Sequence, residues 1–230
     1  MPFLLADSVG KTFGGRRILS SATLRATSGD IRVVFGRNGI GKSTLLKIAA
    51  GIVASDTGMV RVNGNTILKP TLARVAREGV FFLPDHDLLV ANIELGKQLR
   101  FFEKRFEKRS VEEAAGIASV RHLLGRLPHT LSGGELRRAE LAAALTRCPE
   151  CLLADEPYRG IAPKDHDALS AIFRTLAAEG CAVVVTGHEA PSLMELASHI
   201  TWCTSGTTYE LGTPAAAREH DAFVRGYLLR

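Results

Sequence analysis

Nine consecutive residues carry the most specific chemistry in this chain: Gly36-Arg37-Asn38-Gly39-Ile40-Gly41-Lys42-Ser43-Thr44. Glycines at these spacings let backbone N–H groups turn inward around a chain of phosphates, and a helix starting at Lys42 adds the positive end of its dipole. Lys42 is then placed to reach β and γ phosphates, and Ser43 to offer its hydroxyl to Mg²⁺, which prefers oxygen ligands shared with phosphate. The expected phosphate-binding set is Gly36, Asn38, Gly39, Gly41, Lys42, Ser43 and Thr44. A glycine turn that merely opens a helix is the plainer alternative, but every fixed position of the phosphate-loop pattern is filled.

Two further segments supply what a phosphate loop lacks. Cys151-Leu152-Leu153-Ala154 is an apolar run that ends in Asp155 and Glu156. Carboxylates at the C-terminal edge of a buried strand face the ligand crevice of an open parallel sheet. Asp155 is expected to hold Mg²⁺, directly or through water, and Glu156 to orient and deprotonate an attacking water. Leu131-Ser132-Gly133-Gly134-Glu135 opens a long helix, and Ser132 with Glu135 makes a capping box. Two glycines in a first turn serve a cap poorly unless a backbone must come close to a ligand, so this is read as a second anion-binding helix start.

These groups need elements to hold them. Ile31 to Phe35 reads as a strand leading into the phosphate loop, and Lys42 to Ala50 as the helix that leaves it, stopped by Gly51. Cys151 to Ala154 then Asp165 to Ala178, and Ala182 to Thr186 then Ala190 to Ala197, repeat the strand-then-helix order. That order implies an α/β fold, a parallel sheet flanked by helices. Before it, short alternating runs broken by Gly14-Gly15 and Gly29-Asp30 predict antiparallel strands. Between Asp85 and Arg147 only helical spacing occurs, with Leu95, Leu99, Phe102 and Phe106 on one face. The stretch Arg100 to Arg109 mixes basic residues with Phe101, Phe102 and Phe106, which is read as a solvated charged face over buried rings rather than a nucleic-acid surface. One domain is expected, its core formed by 1–84 and 148–230 and a helical sub-domain by 85–147.

Composition agrees with a globular core: 46% of the 230 residues are hydrophobic and 23% charged. The net charge of +5 suits phosphate-bearing ligands or a membrane surface without choosing between them. Apolar runs such as Cys181 to Thr186 are far too short to cross a bilayer, and Asp7 interrupts the apolar start before a signal core develops. Cysteines 148, 151, 181 and 203 include one C-x-x-C but no completing pair, and are expected to be reduced thiols.

With the three motifs in hand, the chain resembles the nucleotide-binding subunits of ATP-binding cassette (ABC) transporters over essentially its whole length. Leu131 to Glu135 matches the family's signature peptide, with Glu where Gln is more frequent, and His188 in Thr186-Gly187-His188 matches its switch histidine. The resemblance implies a P-loop ATPase core, ATP and Mg²⁺ as ligands, and catalytic roles for Glu156 and His188. It implies two cassettes, a second copy or a paralogue, meeting head to tail, with Ser132, Gly133, Gly134 and Glu135 closing on the other chain's ATP. A separate transmembrane subunit would receive the motion, which places the cassette on the cytoplasmic face of the membrane, and no nucleic acid partner is implied. Phe13 stands where the family stacks an aromatic on adenine. Two positions depart from the pattern: Asp85 replaces a glutamine that contacts Mg²⁺ and water, and is expected to join Ser43 and Asp155 at the metal by accepting from a metal-bound water while adding negative charge there, and Ala162 replaces an aspartate that links the two sites. The tail from Ala222 to Leu228 resembles those of cassettes for amino-acid uptake and lipopolysaccharide export. The alternative is a cassette ATPase with no transport role; the length fits neither the fused translation type nor the coiled-coil repair type. A P-loop GTPase is disfavoured because no N-K-x-D motif is present.

Overall fold

The computed structural model describes residues 2–86, 88–188 and 190–228. Its first elements are β1 (Leu4–Phe13) and β2 (Arg16–Ala26), an antiparallel hairpin. Gly14 and Gly15 join them with φ of 52° and 80°, the paired positive values that a tight two-residue hairpin turn requires. The chain continues through β3 (Ile31–Phe35), α1 (Lys42–Ala49), β4 (Thr57–Val62), β5 (Asn65–Thr66), α2 (Leu72–Arg77) and β6 (Val80–Leu83). A helical stretch follows: α3 (Leu95–Phe106), α4 (Val111–Ile117) and α5 (Gly133–Arg147). The last part holds β7 (Cys151–Ala154), α6 (His166–Ala178), β8 (Ala182–Gly187), α7 (Ala190–Leu196), β9 (His199–Thr204), β10 (Thr207–Gly212) and α8 (Pro214–Glu219). A short helical turn, Asp221–Phe223, and a π-helical turn, Val224–Leu228, close the described chain.

Among the described residues ten strands form one sheet, in the order β5-β4-β1-β2-β10-β9-β3-β8-β7-β6. The run from β9 through β3, β8 and β7 to β6 is parallel, while β1 pairs antiparallel with β2 and β4. Every residue of β3, β7 and β8 is buried, as expected of parallel strands covered on both faces. Alternation along them divides the core: Val33, Phe35, Leu152, Val183 and Val185 point to the side of α5, α6 and α7. Val34, Leu153 and Val184 point to the side of α1, where Leu45, Leu46 and Ile48 meet the hairpin residues Leu4, Leu19 and Leu24.

Three findings differ from the sequence expectation. Phe101 is 68% exposed, because the apolar stripe of α3 runs through Leu95, Leu99 and Phe102 and Phe101 falls beside it. β9 and β10 are strands that the sequence pattern does not predict; their Thr-rich runs pair with strands distant in sequence. The helix expected from Asp165 begins at His166, after a 3₁₀ turn opened by Pro163. The four cysteines are free thiols, and burial raises Cys181 to about 12 and Cys203 to about 11, so both stay protonated at neutral pH.

Candidate functional site

β3 runs directly into the glycine loop, and two of its glycines are required by close approach. A Cβ on Gly36 would lie 2.6 Å from the carbonyl of Cys203, and Gly41 adopts φ 116° as the residue before α1 with Leu19 packed 2.7 Å from where a Cβ would stand. That crowding holds the loop curled over the start of α1, where Lys42 is buried. Its Nζ donates to the carbonyls of Gly36, at 2.8 Å, and Arg37, at 3.3 Å, and pairs with Glu156 Oε1 at 3.3 Å.

The acidic strand end completes this cluster. Asp155 is buried and its Oδ1 accepts from Ser43 Oγ at 2.9 Å and from Thr186 Oγ1 at 2.8 Å. Burial raises its carboxyl pKa, while the two hydroxyl donors oppose the shift. Glu156 takes φ 43°, in the left-handed region rare for residues other than glycine, and its N–H donates to Thr186 Oγ1 at 2.9 Å. The turn aims its carboxylate between Lys42 and His188, whose Nδ1 lies 3.5 Å from Glu156 Oε2. One surface cavity is lined by Phe13, Ile18, Gly39, Gly41, Lys42, Ser43, Thr44 and Glu156, so residues far apart in sequence meet around a single space. Phe13 is 47% exposed at its rim, with Lys11 Nζ 5.2 Å from the ring centroid.

The signature residues are elsewhere. None of Ser132, Gly133, Gly134 or Glu135 lines that cavity. Ser132 caps α5: Glu135 N–H donates to Ser132 Oγ at 3.4 Å, and Ser132 N–H donates to Glu135 Oε2 at 2.8 Å. The Ser132 N–H and the Ser132 hydroxyl, which donates to the same Oε2 at 2.7 Å, hold the half-buried Glu135 carboxyl below its ordinary range. A Cβ on Gly134 would meet Asp165 Oδ2 at 2.7 Å, whereas one on Gly133 would find nothing nearer than 3.7 Å. Asp85 gives its carboxylate to Arg159, at 3.4 Å, and to His86, at 3.2 Å, and its charge acts unfavourably on Asp155. Ala162 sits just before the Pro163 turn with an extended backbone.

Motif reading missed Thr186 as the bridge between Asp155 and Glu156; a hydroxyl near the end of an otherwise apolar strand was its signal. It also missed Arg137 and Glu140, an opposite-charge pair three residues apart in the apolar part of α5.

The sequence model of the family described as ABC transporter matches residues 19–159. The chain belongs to the ABC transporter family. Among ABC relatives, the lipopolysaccharide export system ATP-binding protein LptB of Escherichia coli K12 is 30% identical over 239 residues, covering 99% of this chain and 98% of that protein. The zinc import ATP-binding protein ZnuC of Halorhodospira halophila is 30% identical over 224 residues, covering 96% and 82%. In fold, this ABC cassette is similar to the ADP conformation of MJ1267, an ATP-binding cassette of an ABC transporter, with a TM-score of 0.87 at 20% identity and full coverage of both chains. It is also similar to cbiO1 from Clostridium perfringens, part of the transporter complex cbiONQ, with a TM-score of 0.81 at 20% identity over 100% and 95%.

Proposed function

We propose that this ABC cassette hydrolyses ATP, with Glu156 as general base, Lys42 on the β and γ phosphates, and His188 beside the γ phosphate. The observation that carries it is the placement of Glu156 between Lys42 and His188, one residue after a buried Asp155 that is bonded to Ser43. Phosphates entering the glycine loop compete with the Gly36 carbonyl and with Glu156 for the Lys42 ammonium, which releases the carboxylate to take a proton from water. Mg²⁺ fits the donors present: Ser43 Oγ and a buried Asp155 carboxylate are hard oxygen ligands, and a cation would relieve the desolvation that raises the Asp155 pKa. Ser43 and Asp155 would hold such a cation, whose chemistry would be to offset the negative charge that develops during transfer. Phe13, exposed at the rim, is assigned to the adenine ring.

Because Ser132 to Glu135 lie outside the cavity of their own chain, they are assigned to the ATP of a second cassette, either another copy or a paralogue. The released energy drives a separate transmembrane subunit, and the cassette works on the cytoplasmic face through that partner. No helix among the described residues is long and apolar enough to cross a membrane itself. Whole-length similarity to named transporter subunits favours this over a cassette ATPase without a transport role. Relatives of equal identity serve lipopolysaccharide export and zinc import, so the choice of cargo is assigned to the membrane partner.

The test is Glu156→Gln. It keeps side-chain shape and removes the base, so turnover should fall by ~10²–10⁴ while ATP still binds. Size exclusion with light scattering should then show a dimer only with Mg·ATP, and Ser132→Arg added to it should give a monomer. Turnover near wild type in Glu156→Gln would refute the assignment of the base.

A further inference from the structure

Just beyond β6 the chain is gripped by a buried ion pair on the second turn of α5. Arg137 and Glu140 side chains are only 5% and 3% exposed, and Arg137 Nη1 lies 2.8 Å from Glu140 Oε2. The same guanidinium donates to the carbonyl of Pro84, at 2.8 Å, and to that of Asp85, at 2.6 Å. Glu140 Oε1 accepts the N–H of Leu88 at 3.3 Å. The contacts to Pro84, Asp85 and Leu88 go to main-chain atoms, so at these residues the pair fixes the path of the chain.

Such a pair is a poor device for stability. Desolvation of two buried charges offsets most of their attraction, and apolar residues of similar volume commonly pack as well. Burial indeed lowers the Arg137 pKa, opposed by the charges of Glu140, Asp85 and Asp155. Position is what the pair does supply. One end of the grip is the helix capped by Ser132; the other is the chain that leaves β6, the strand beside β7 and its acidic end. Leu83 makes this neighbourhood direct, since its carbonyl accepts the Asp155 N–H at 2.9 Å.

We infer that Arg137 and Glu140 are positioning residues that lock Pro84, Asp85 and Leu88 to the signature helix, so that the residue at 85 and the Ser132–Glu135 cap shift as one unit when nucleotide closes the site. A rotation of α5 then reaches the Asp155 neighbourhood through main-chain hydrogen bonds, without contact between either clamp residue and nucleotide. The kinetic part of this inference rests on the hydrolysis reading above; the structural part does not.

The experiment uses the full chain with three changes: the apolar pair Arg137→Met with Glu140→Leu, Arg137→Lys, and Glu140→Gln. Hydrogen exchange without nucleotide should show faster exchange at Leu88 in the apolar pair, and a smaller rise in Glu140→Gln, whose single amide oxygen must serve the two contacts that Oε1 and Oε2 make. With Mg·ATP, peptides covering 84–93 and 132–147 should change protection together in the wild type and separately in the apolar pair. Displacing a catalytic group by about 1 Å costs on the order of 10²-fold, so kcat should fall at least ~10-fold in the apolar pair, with KM for ATP little changed. Arg137→Lys keeps the charge beside Glu140 but not the fork that spans two carbonyls, and should lose turnover as the apolar pair does. The inference is overturned by wild-type exchange at Leu88 in the apolar pair, by wild-type kcat in that variant, or by full turnover in Arg137→Lys. If the apolar pair does not fold, the Lys and Gln variants decide the matter. A wild type that binds but never hydrolyses ATP defeats the hydrolysis reading, and the exchange result still judges the clamp.

Discussion

Lys42 is the residue on which the proposed phosphate site turns. It holds three oxygen partners in this structure, and each belongs to the machinery that ATP is expected to use. Lys42→Ala should weaken ATP binding by roughly 10–100-fold, the value of a charge-assisted contact of about 1.5–3 kcal/mol, and nearly abolish turnover. A nucleotide titration with wild-type affinity would remove Lys42 from the site. Asp155 makes the opposite kind of statement, about stability. Its folded pKa is raised by burial, so the folded chain binds that proton more tightly than the unfolded chain. The stability linked to it is greatest below the usual carboxylate range and declines as pH rises from there through the folded value. Near pH 7 the ionised carboxylate is therefore a net cost. Asp155→Asn keeps the Oδ1 that accepts from Ser43 and Thr186, and should raise Tm in metal-free, nucleotide-free protein at pH 7. The gain should shrink as pH falls into the acid range, which calorimetry at several pH values can follow; a lower Tm at pH 7 would contradict it.

At the scale of elements, α5 separates what a fold needs from what a ligand needs. Gly134 lies against Asp165, so Gly134→Ala must push aside a side chain that also pairs with Arg138 at 3.5 Å, and should lower Tm. Gly133 has room, and Gly133→Ala should leave Tm unchanged or raise it by roughly 1–4 °C, from about 0.5–1 kcal/mol of reduced chain entropy. Turnover should fall nonetheless, because that open side is where another cassette's nucleotide is expected. Thermal melts and ATPase rates on both variants test the contrast. The same elements show what the sequence made visible. The strand, glycine loop and helix from Ile31 to Ala49, and the buried runs at Cys151–Ala154 and Ala182–Gly187, were legible because their residues match in periodicity, propensity and turn chemistry. β9 and β10 were not, because what specifies them is distant: Arg32, buried in β3, donates to Thr201 at 2.9 Å and pairs with Glu210. A charge inside an apolar strand announces that a partner exists without saying where it lies. The site followed the same division. Each motif could be read by itself, whereas the turn at Glu156 and the grip of Arg137 on two carbonyls exist only once β6, β7 and α5 are assembled.

In the molecule as a whole, the phosphate loop depends on the far end of the chain. Phe223 is fully buried, 5.8 Å from the ring of Phe35 and 5.8 Å from that of Trp202, and Tyr227 stacks on it at 5.6 Å. Tyr227 Oη donates to the carbonyl of Gly187 at 3.4 Å, next to His188, and Arg37 Nη2 donates to that of Gly226 at 3.5 Å. Phe223→Ala should cost about 3–5 kcal/mol and lower Tm by roughly 6–20 °C, measurable by differential scanning calorimetry. A melt within 2 °C or so of wild type would show that the cluster packs without contributing.

The position of β3 in the sheet also orders events in time. β3 is flanked by β8 on one side and β9 on the other, both made more than a hundred residues after the glycine loop it presents. Its two neighbours do not exist while the ribosome is still reading the helical stretch. The loop therefore leaves the exit tunnel early as a sequence and is seated in the sheet late, once Ala182–Gly187 and His199–Thr204 have emerged. A half-made cassette carries the whole phosphate motif without the two strands that seat it.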